Sequence, residues 1–542
     1  MTLAGTRSAR TDGSRATVSG LPYLPDATAR VQPGDAAFRW PVRFPDIAPA
    51  LEDLPTRLLE IADQLDDDEA RKVLVGSISF LVATLAYAEA AIYLEAAQES
   101  GIGFDNLPPA AAYLTGTGAS DELPVPFSVK ATTAGKAPPL SRLREYKIAA
   151  EWNGLKAFGA LFRPDVVAIS TNALVKQAAH DEHRSIRYRF QWDIFNARAA
   201  RGPAYDIDCK SLARKVAEAL VDGIDIVTGR FRERLHELVR HEAELAFSVA
   251  AHDLSRLSGI DELPQELWSG TGGHYPSRLI GLEVMRRGGI VRRFGHGLNA
   301  GIMYQRQKPF RVTEFSVSTE YSAPTKAFAD LMVQTDTLTG TPARFRPQLR
   351  WGRGDSHSPA DSGGGRFRAS IGRPRVLYAP TVPRGFRQYL SPQLPDVVYR
   401  DWQHRLVAML QQLPIDLVCT LHPRERALAA AHPCVQAGKV TSDGFETVIG
   451  EADVVLFDYL KSTTIAAALP TTVPVIFIDL EGLAFEPVVF AELERRCTVI
   501  KATYDDAGRP NVDADVLGQA LCRTHAEPDP DFFRRLYVGD DA

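Results

Sequence analysis

Beyond position 375 the chain repeats one pattern, a short apolar run followed by a stretch with helical spacing. Val376 to Ala379 (VLYA), Asp416 to Leu421 (DLVCTL), Asp453 to Phe457 (DVVLF), Pro474 to Ile478 (PVIFI) and Thr498 to Lys501 read as strands. Asp401 to Leu413, Phe445 to Gly450, Ser462 to Leu469 and Ala514 to Cys522 read as the helices between and after them. Strands alternating with helices at this spacing argue for βαβ units and a parallel sheet. Ligands of such a sheet belong where strand C-termini meet helix N-termini.

The first part of the chain carries the same grammar with more helix. Leu51 to Glu99 and Ser211 to Leu257 look helical, and Val166 to Ser170 (VVAIS) reads as a strand ending in a Ser-Thr-Asn turn that can cap a helix. Glu266 to Trp268 leads into Ser269-Gly270-Thr271-Gly272-Gly273, then a helix from Ser277 to Arg287 and a strand from Ile290 to Phe294. The expected fold class is α/β, with two Rossmann-like domains facing each other across a cleft and extra N-terminal helices. Residues 1–45 form a flexible lead-in, 46–343 the first domain, 344–375 a linker, 376–525 the second domain, and 526–542 a tail or crossover helix. The linker carries eight arginines against Asp355 and Asp361, plus the run Gly363 to Gly365. Most of these arginines read as a solvated linker, the alternative being attraction to an anionic donor, acceptor lipid or membrane face.

With 542 residues the chain exceeds what one hydrophobic core organises. Its 62 basic against 67 acidic residues advertise no nucleic-acid surface. The five cysteines show no CxxC spacing, which fits buried thiols in a reducing compartment and neither a disulfide framework nor a metal site. Met1 to Gly20 lacks the apolar core of a signal peptide. The apolar stretch Ile78 to Tyr93 is short for a bilayer and carries Glu89, so a buried helix is expected. These features point to a cytoplasmic protein, with any membrane association peripheral, at the inner face.

Two motifs sit at successive strand ends of the second domain. His422-Pro423-Arg424 follows DLVCTL, and Asp458-Tyr459-Leu460-Lys461-Ser462-Thr463-Thr464 follows DVVLF. Hydroxyls and free backbone N–H groups where a helix begins near Ser462 suit an anion such as a nucleotide phosphate. His422 can donate a hydrogen bond to that phosphate, or a proton to its departing oxygen. The alternative is plainer: Ser462 as an N-cap and His-Pro as a turn, as His432-Pro433 illustrates.

In the first domain, the turn of Gly270, Thr271 and Gly272 can let backbone approach a ligand, or simply make a tight strand-to-helix turn. His296-Gly297 closes the strand IVRRF, where an imidazole can act as a base on an acceptor hydroxyl. Glu266, just before the turn, is the best-placed acid, ahead of Asp222 in Asp222-Gly223 and of Asp181 or Glu182 in His180-Asp181-Glu182-His183. That last cluster lacks a third ligand, so a solvated helix end is expected and no metal.

Tyr378-Ala379-Pro380-Thr381, His422-Pro423, Asp458 through Thr464 and Pro474-Val475-Ile476 resemble the pattern shared by bacterial sialyltransferases, 3-deoxy-octulosonate (Kdo) transferases and CDP-glycerol glycerophosphotransferases. The resemblance covers about Val376 to Asp479, at motif level. It implies a metal-independent GT-B enzyme with a CMP-activated sugar as donor substrate and no resident cofactor. Thr381, His422, Pro423, Arg424, Ser462, Thr463 and Thr464 would hold the donor. The hydroxyl series here reads Ser-Thr-Thr after Lys461, which leaves open which two face phosphate. The expected reaction moves Kdo or a sialic-acid-like nonulosonate onto a surface glycan, lipid or protein acceptor, with His296, His422 and Glu266 as the catalytic candidates. Alternatives are a CDP-polyol phosphotransferase using His296 and His422, a nucleotide-sugar epimerase, and a degenerate GT-B module kept for binding.

Overall fold

The apolar runs pair edge to edge into two separate sheets, each of six strands and each parallel throughout. The computed structural model describes residues 21–22, 38–105, 107–117, 123–124, 140–154, 157–162, 164–200, 202, 205–295, 301–302, 310–354, 372–381, 394–421, 432–436, 439–441, 443–459, 463–481 and 485–539. Strands β1 (Val166–Ala168), β2 (Ile186–Tyr188), β3 (Glu266–Ser269), β4 (Ile290–Phe294), β5 (Glu320–Ala323) and β6 (Gln348–Trp351) build the first sheet in the order β2-β1-β3-β4-β5-β6. Strands β7 (Arg375–Tyr378), β8 (Asp416–Thr420), β9 (Val440–Thr441), β10 (Val454–Phe457), β11 (Val475–Asp479) and β12 (Thr498–Lys501) build the second in the order β9-β8-β7-β10-β11-β12. Both orders reverse direction once, the second in the manner of a dinucleotide-binding sheet and the first in that of a flavodoxin-like one. The architecture is thus mixed α/β, compatible with two Rossmann-like domains.

The second sheet explains why its strands were so legible. Leu377, Val455 and Phe477 pack on one face, while Val376, Tyr378, Leu456 and Ile476 pack on the other. A strand covered on both faces must be apolar at every position, whatever the period of two along it. Its register is fixed by the same groups, with Val455 opposite Leu377 on one side and Val475 on the other.

The helices that precede the first sheet begin with α1 (Phe44–Glu52), α2 (Leu54–Gln64), α3 (Asp68–Gly76) and α4 (Ile78–Ser100). Asp67 caps α3 by accepting from the N–H groups of Glu69 and Ala70, and Gly101 ends α4 at φ 68°, a conformation that costs glycine little. Between β1 and β2 runs α5 (Ala173–Asp181), and between β2 and β3 run α6 (Cys209–Val221) and α7 (Gly229–Ser258). The stretch Phe80–Ser100 of α4 is, among the described residues, one helix long and apolar enough to cross a membrane by length and composition. Most of it is buried, packed against α7 with the Phe80 and Phe247 rings 5.2 Å apart. Of the cysteines, Cys419, Cys434 and Cys497 are buried, Cys209 is half-buried and Cys522 is exposed.

Several boundaries differ from the sequence reading. The helical stretch 51–99 is several helices, because Asp53 and the segment around Asp67 break it. The supposed linker is not loop throughout: Gln348–Trp351 is the edge strand β6, whose LRW alternation was hidden among arginines. Residues 355–371 lie outside the described residues. Short or charged strands β2, β5 and β9 were not read at all, since none presents a continuous apolar run. At the end of the chain, Asp531–Tyr537 folds as a helix that packs on Lys326–Gln334, the helix after β5. The Thr325 hydroxyl donates to the Leu536 carbonyl at 2.9 Å, and the Phe328 and Tyr537 rings lie 5.9 Å apart.

Candidate functional site

In the second sheet the order reverses between β7 and β10, and the C-terminal ends of strands at such a reversal are where open parallel sheets commonly bind ligands. Ala379-Pro380-Thr381 follows β7 and Asp458-Tyr459 follows β10. Asp458 is buried, and its carboxylate accepts three hydrogen bonds from neutral donors: the Tyr378 hydroxyl (2.7 Å), the Trp402 indole N–H (3.0 Å) and the Tyr399 hydroxyl (3.0 Å). Tyr378 ends β7, while Tyr399 and Trp402 lie one turn apart on α8 (Asp396–Gln412), counting α8 as the helix that follows β7. The Tyr399 hydroxyl in turn accepts from the Thr381 N–H at 3.0 Å. Burial raises the Asp458 pKa above the ordinary carboxylate value, and the three donors oppose that shift. Asp458 therefore acts inward, tying the ends of two strands to α8 and, through Tyr399, to Thr381.

The residues after Asp458 are visible in part. Thr463–Ala468 is helical and Thr464 is half-buried, while the helix is only six residues long, so its peptide dipoles add little. Ser462, His422, Pro423 and Arg424 lie outside the described residues, as does the side chain of Thr463. The backbone N–H of Thr381 is already engaged by Tyr399, and its carbonyl accepts from Gln403 at 3.5 Å.

The first sheet reverses between β1 and β3, and the glycine turn stands there. Its four N–H groups all have internal acceptors: Gly270 on Ser170 Oγ (2.8 Å), Thr271 on Ser269 Oγ (3.3 Å), Gly272 on Glu314 Oε2 (2.5 Å) and Gly273 on Thr271 Oγ1 (3.1 Å). Its carbonyls are held too, with Arg293 donating to Thr271 (3.3 Å) and Arg278 to Gly272 (3.2 Å). A Cβ on Gly272 would stand 2.5 Å from the Thr313 carbonyl, which is why glycine is needed there. This arrangement favours the tight-turn reading over a backbone cradle waiting for a ligand. Asn172 adds a clamp: its Oδ1 accepts from the Val175 N–H (2.9 Å), and its amide donates to the carbonyl of Gly295 (3.1 Å), the residue before His296. His296 itself lies outside the described residues.

Glu266 is not brought to this end of the sheet. It opens β3, about 10 Å from the strand's far end at the usual rise per residue. Its carboxylate accepts from Arg184 and from the Trp268 indole, both at 2.7 Å. Glu182 pairs with Arg292, and Asp222 with Arg232 at 3.0 Å. Among the described residues no group of three His, Cys, Asp or Glu side chains is arranged to hold a metal ion. The acid that does meet the glycine turn is Glu314, buried beside Thr271 and Gly272. Burial raises its pKa, while the charges of Arg293 and Arg278 pull it back. The sequence offered no sign of it, because Glu314 lies at the junction of two short helical turns, Phe310–Thr313 and Phe315–Val317, between β4 and β5 and reaches the glycine turn only through the fold.

A second group missed by the sequence reading lies on α8, which starts at Asp396 and not at Asp401. Its added first turn carries Arg400, and its flank carries Gln403 and His404, all buried. Burial, then the charges of Arg400 and His432, push the His404 pKa down to about 4. The folded protein thus binds fewer protons than the unfolded chain between about pH 4 and pH 6.5. The stability tied to neutral His404 is fully present above about pH 6.5 and is lost as the pH falls toward 4. Relative to His404→Gln, the wild type is expected to lose up to about 1.4 kcal/mol per pH unit across that window. Urea midpoints measured at several pH values check this, and parallel curves for the two proteins would refute it.

No protein-family model matches the chain, and no curated protein matches it in sequence.

Proposed function

We propose that this chain is a GT-B glycosyltransferase that takes a sugar from a CMP-activated donor and places it on a glycan, lipid-linked or protein acceptor. One observation carries the reading. Thr381 and the segment beginning at Asp458, far apart in sequence, follow the two paired strands at the strand-order reversal of the second sheet, the position at which open parallel sheets commonly hold ligands. The Asp458 network that joins them pre-organises both loops, which lowers the ordering cost of binding. The cytidine preference and the donor class, Kdo or a nonulosonate, come from the resemblance of the motifs at those loops. In this reading the acceptor oxygen bonds to the anomeric carbon, the bond from that carbon to the CMP oxygen breaks with its electron pair leaving on CMP, and the acceptor proton passes to a base. His296, which follows Gly295 at the end of β4, is the candidate base, and His422 the group that meets the leaving phosphate. A cytoplasmic site of action, at the inner face of the membrane for a lipid-linked acceptor, goes with this reading.

A melting-temperature screen with CMP, CDP, UDP, GDP and ADP tests it. A ligand that binds only the native state at about 100 times its Kd adds about 2.7 kcal/mol, enough for a rise of a few degrees. CMP or CDP is expected to give the largest rise. An equal or larger rise with a uridine or purine nucleotide would overturn the cytidine assignment.

A further inference from the structure

We propose that the outer face of the helix Ser141–Asn153, at the β2 edge of the first sheet, is a docking surface for an anionic lipid membrane. The inner face of this helix accounts for its place in the fold. Ile148 and Trp152 pack on the cluster around Val166, Ile186 and Tyr188, with the Trp152 and Tyr188 rings 5.9 Å apart. Ala149 is buried on the same side, and Glu145 accepts from the Phe190 N–H at 3.0 Å. Asn153 accepts from the Ile186 N–H at 2.8 Å and donates to its carbonyl at 2.7 Å. Glu145, Ile148, Ala149 and Trp152 are one stripe at helical spacing, and that stripe alone fixes the helix to the sheet.

The opposite stripe has no such task and is apolar as well. Leu143, Tyr146 and Ala150 follow one another at helical spacing, which makes them surface neighbours, and all three are exposed, Leu143 by 62% and Tyr146 by 52%. Leu140, just ahead of the helix, is 71% exposed, and the short helix packed beside it, Ala157–Phe162, ends in Phe162 at 70%. Among the described residues, Leu140, Phe162 and Leu143 are the most exposed large apolar side chains. Exposed apolar residues scattered singly are ordinary, whereas a run of them along one helix marks an interaction surface.

Charge selects the occupant. Arg142 and Arg144 flank the stripe on either side and Lys147 adjoins it, all three exposed and none in an ion pair among the described residues. The acids of this helix are Glu145, turned inward, and Glu151, which Lys176 faces at 4.0 Å. The patch is thus basic on a chain whose formal charge is -5. An apolar stripe with a basic rim matches acyl chains under anionic headgroups: the Leu143 side chain enters, Tyr146 sits at the boundary, and the long basic side chains reach the phosphates. A second copy docked here about a two-fold axis would bring the same cations face to face. This surface lies on the first sheet and does not depend on which nucleotide or sugar the second sheet binds.

Sedimentation of the full chain with phosphatidylcholine vesicles, with and without phosphatidylglycerol, tests the surface. The wild type is expected to bind the phosphatidylglycerol vesicles about tenfold or more tighter than pure phosphatidylcholine. It should come off as salt rises from about 0.1 M to about 1 M, where the screening length shrinks from about 10 Å to about 3 Å. Leu143→Ser combined with Tyr146→Ser should weaken binding about tenfold or more. Arg142→Gln, Arg144→Gln and Lys147→Gln together should remove the preference for phosphatidylglycerol. All five side chains are exposed, so both variants should keep the wild-type melting temperature to within a few degrees. No binding of wild type to phosphatidylglycerol vesicles, or equal binding by wild type and both variants, would overturn the lipid surface. Binding that needs the basic residues but not Leu143 and Tyr146 would overturn it too, since any polyanion would then serve. A wild-type dimer in light scattering that the serine variant converts to monomers, with vesicle binding unchanged, would assign the patch to a second copy and overturn it. The nucleotide melting screen is read separately, so either result can fail while the other stands.

Discussion

Replacing Asp458 with alanine is expected to cost about 3–5 kcal/mol of stability, the range for breaking a buried, fully engaged charged group. The substitution strands the Tyr378 hydroxyl, the Tyr399 hydroxyl and the Trp402 indole N–H without their acceptor. Each orphaned donor costs roughly 1–3 kcal/mol, and relief from burying a carboxylate offsets only part of the sum. Asp458→Asn should be milder, about 1–2 kcal/mol, because the amide oxygen can still accept from two of the donors and its NH₂ can donate to the Tyr399 oxygen. Urea denaturation followed by tryptophan fluorescence measures both, with the buried Trp402 as a reporter beside the lesion. On the proposed function, the alanine variant should also lose nucleotide binding, since Tyr399 would no longer hold the Thr381 N–H in place. An alanine variant within 1 kcal/mol of wild type, on the order of a surface substitution, would show that the network organises nothing.

Arg278→Met is expected to be comparably damaging, about 3–5 kcal/mol. The Arg278 guanidinium is fully enclosed and donates to the carbonyls of Val75 (3.0 Å from Nε), Gly272 (3.2 Å) and Thr313 (2.7 Å) and to Ser316 Oγ (3.1 Å). Burial and the neighbouring Arg293 charge push its pKa down to about 9, so it still carries its proton at neutral pH. Methionine fills the volume of the stem but returns none of those bonds, and Glu314 then keeps Arg293 as its remaining nearby cation. The loss should concentrate at the glycine turn, detectable as faster hydrogen exchange at Gly272 and Gly273 along with the lower urea midpoint. Arg278→Lys should fall between, because a point charge cannot serve several carbonyls as a planar fork does. Wild-type stability in Arg278→Met would mean that desolvation of the guanidinium had cancelled its bonds.

Parts of the candidate site were legible in the chain and parts were not. Thr381 and the Asp458 segment could be read because each directly follows an apolar run, and a strand end in a parallel sheet is a ligand position by geometry. Glu266 was misjudged for the converse reason: it adjoins the glycine turn in sequence, yet four extended residues carry it to the opposite end of the sheet. Glu314, Arg400 and His404 gave no local signal. Their surroundings come from chain segments distant in sequence, such as Thr271 for Glu314 and His432 for His404.

The sequence by itself determined the strands of the second sheet other than β9, and the unit running from Glu266 to Phe294. The central strands β7, β10 and β11 are enclosed on both faces, so their apolar character is continuous and local, and Ile290–Phe294 and the edge strand Thr498–Lys501 were also legible to the residue. Only the tertiary structure decided which strands became neighbours. The reversals between β1 and β3 and between β7 and β10, and the edge positions of β2, β6 and β9, follow from how connecting helices pack, and no short window encodes that. The same holds for Asp458: its sequence neighbours suggest a phosphate loop, while its three donors come from Tyr378, Tyr399 and Trp402. A buried charge takes its function from the partners that satisfy it, and those partners are fixed by packing across the sheet, not by distance along the chain.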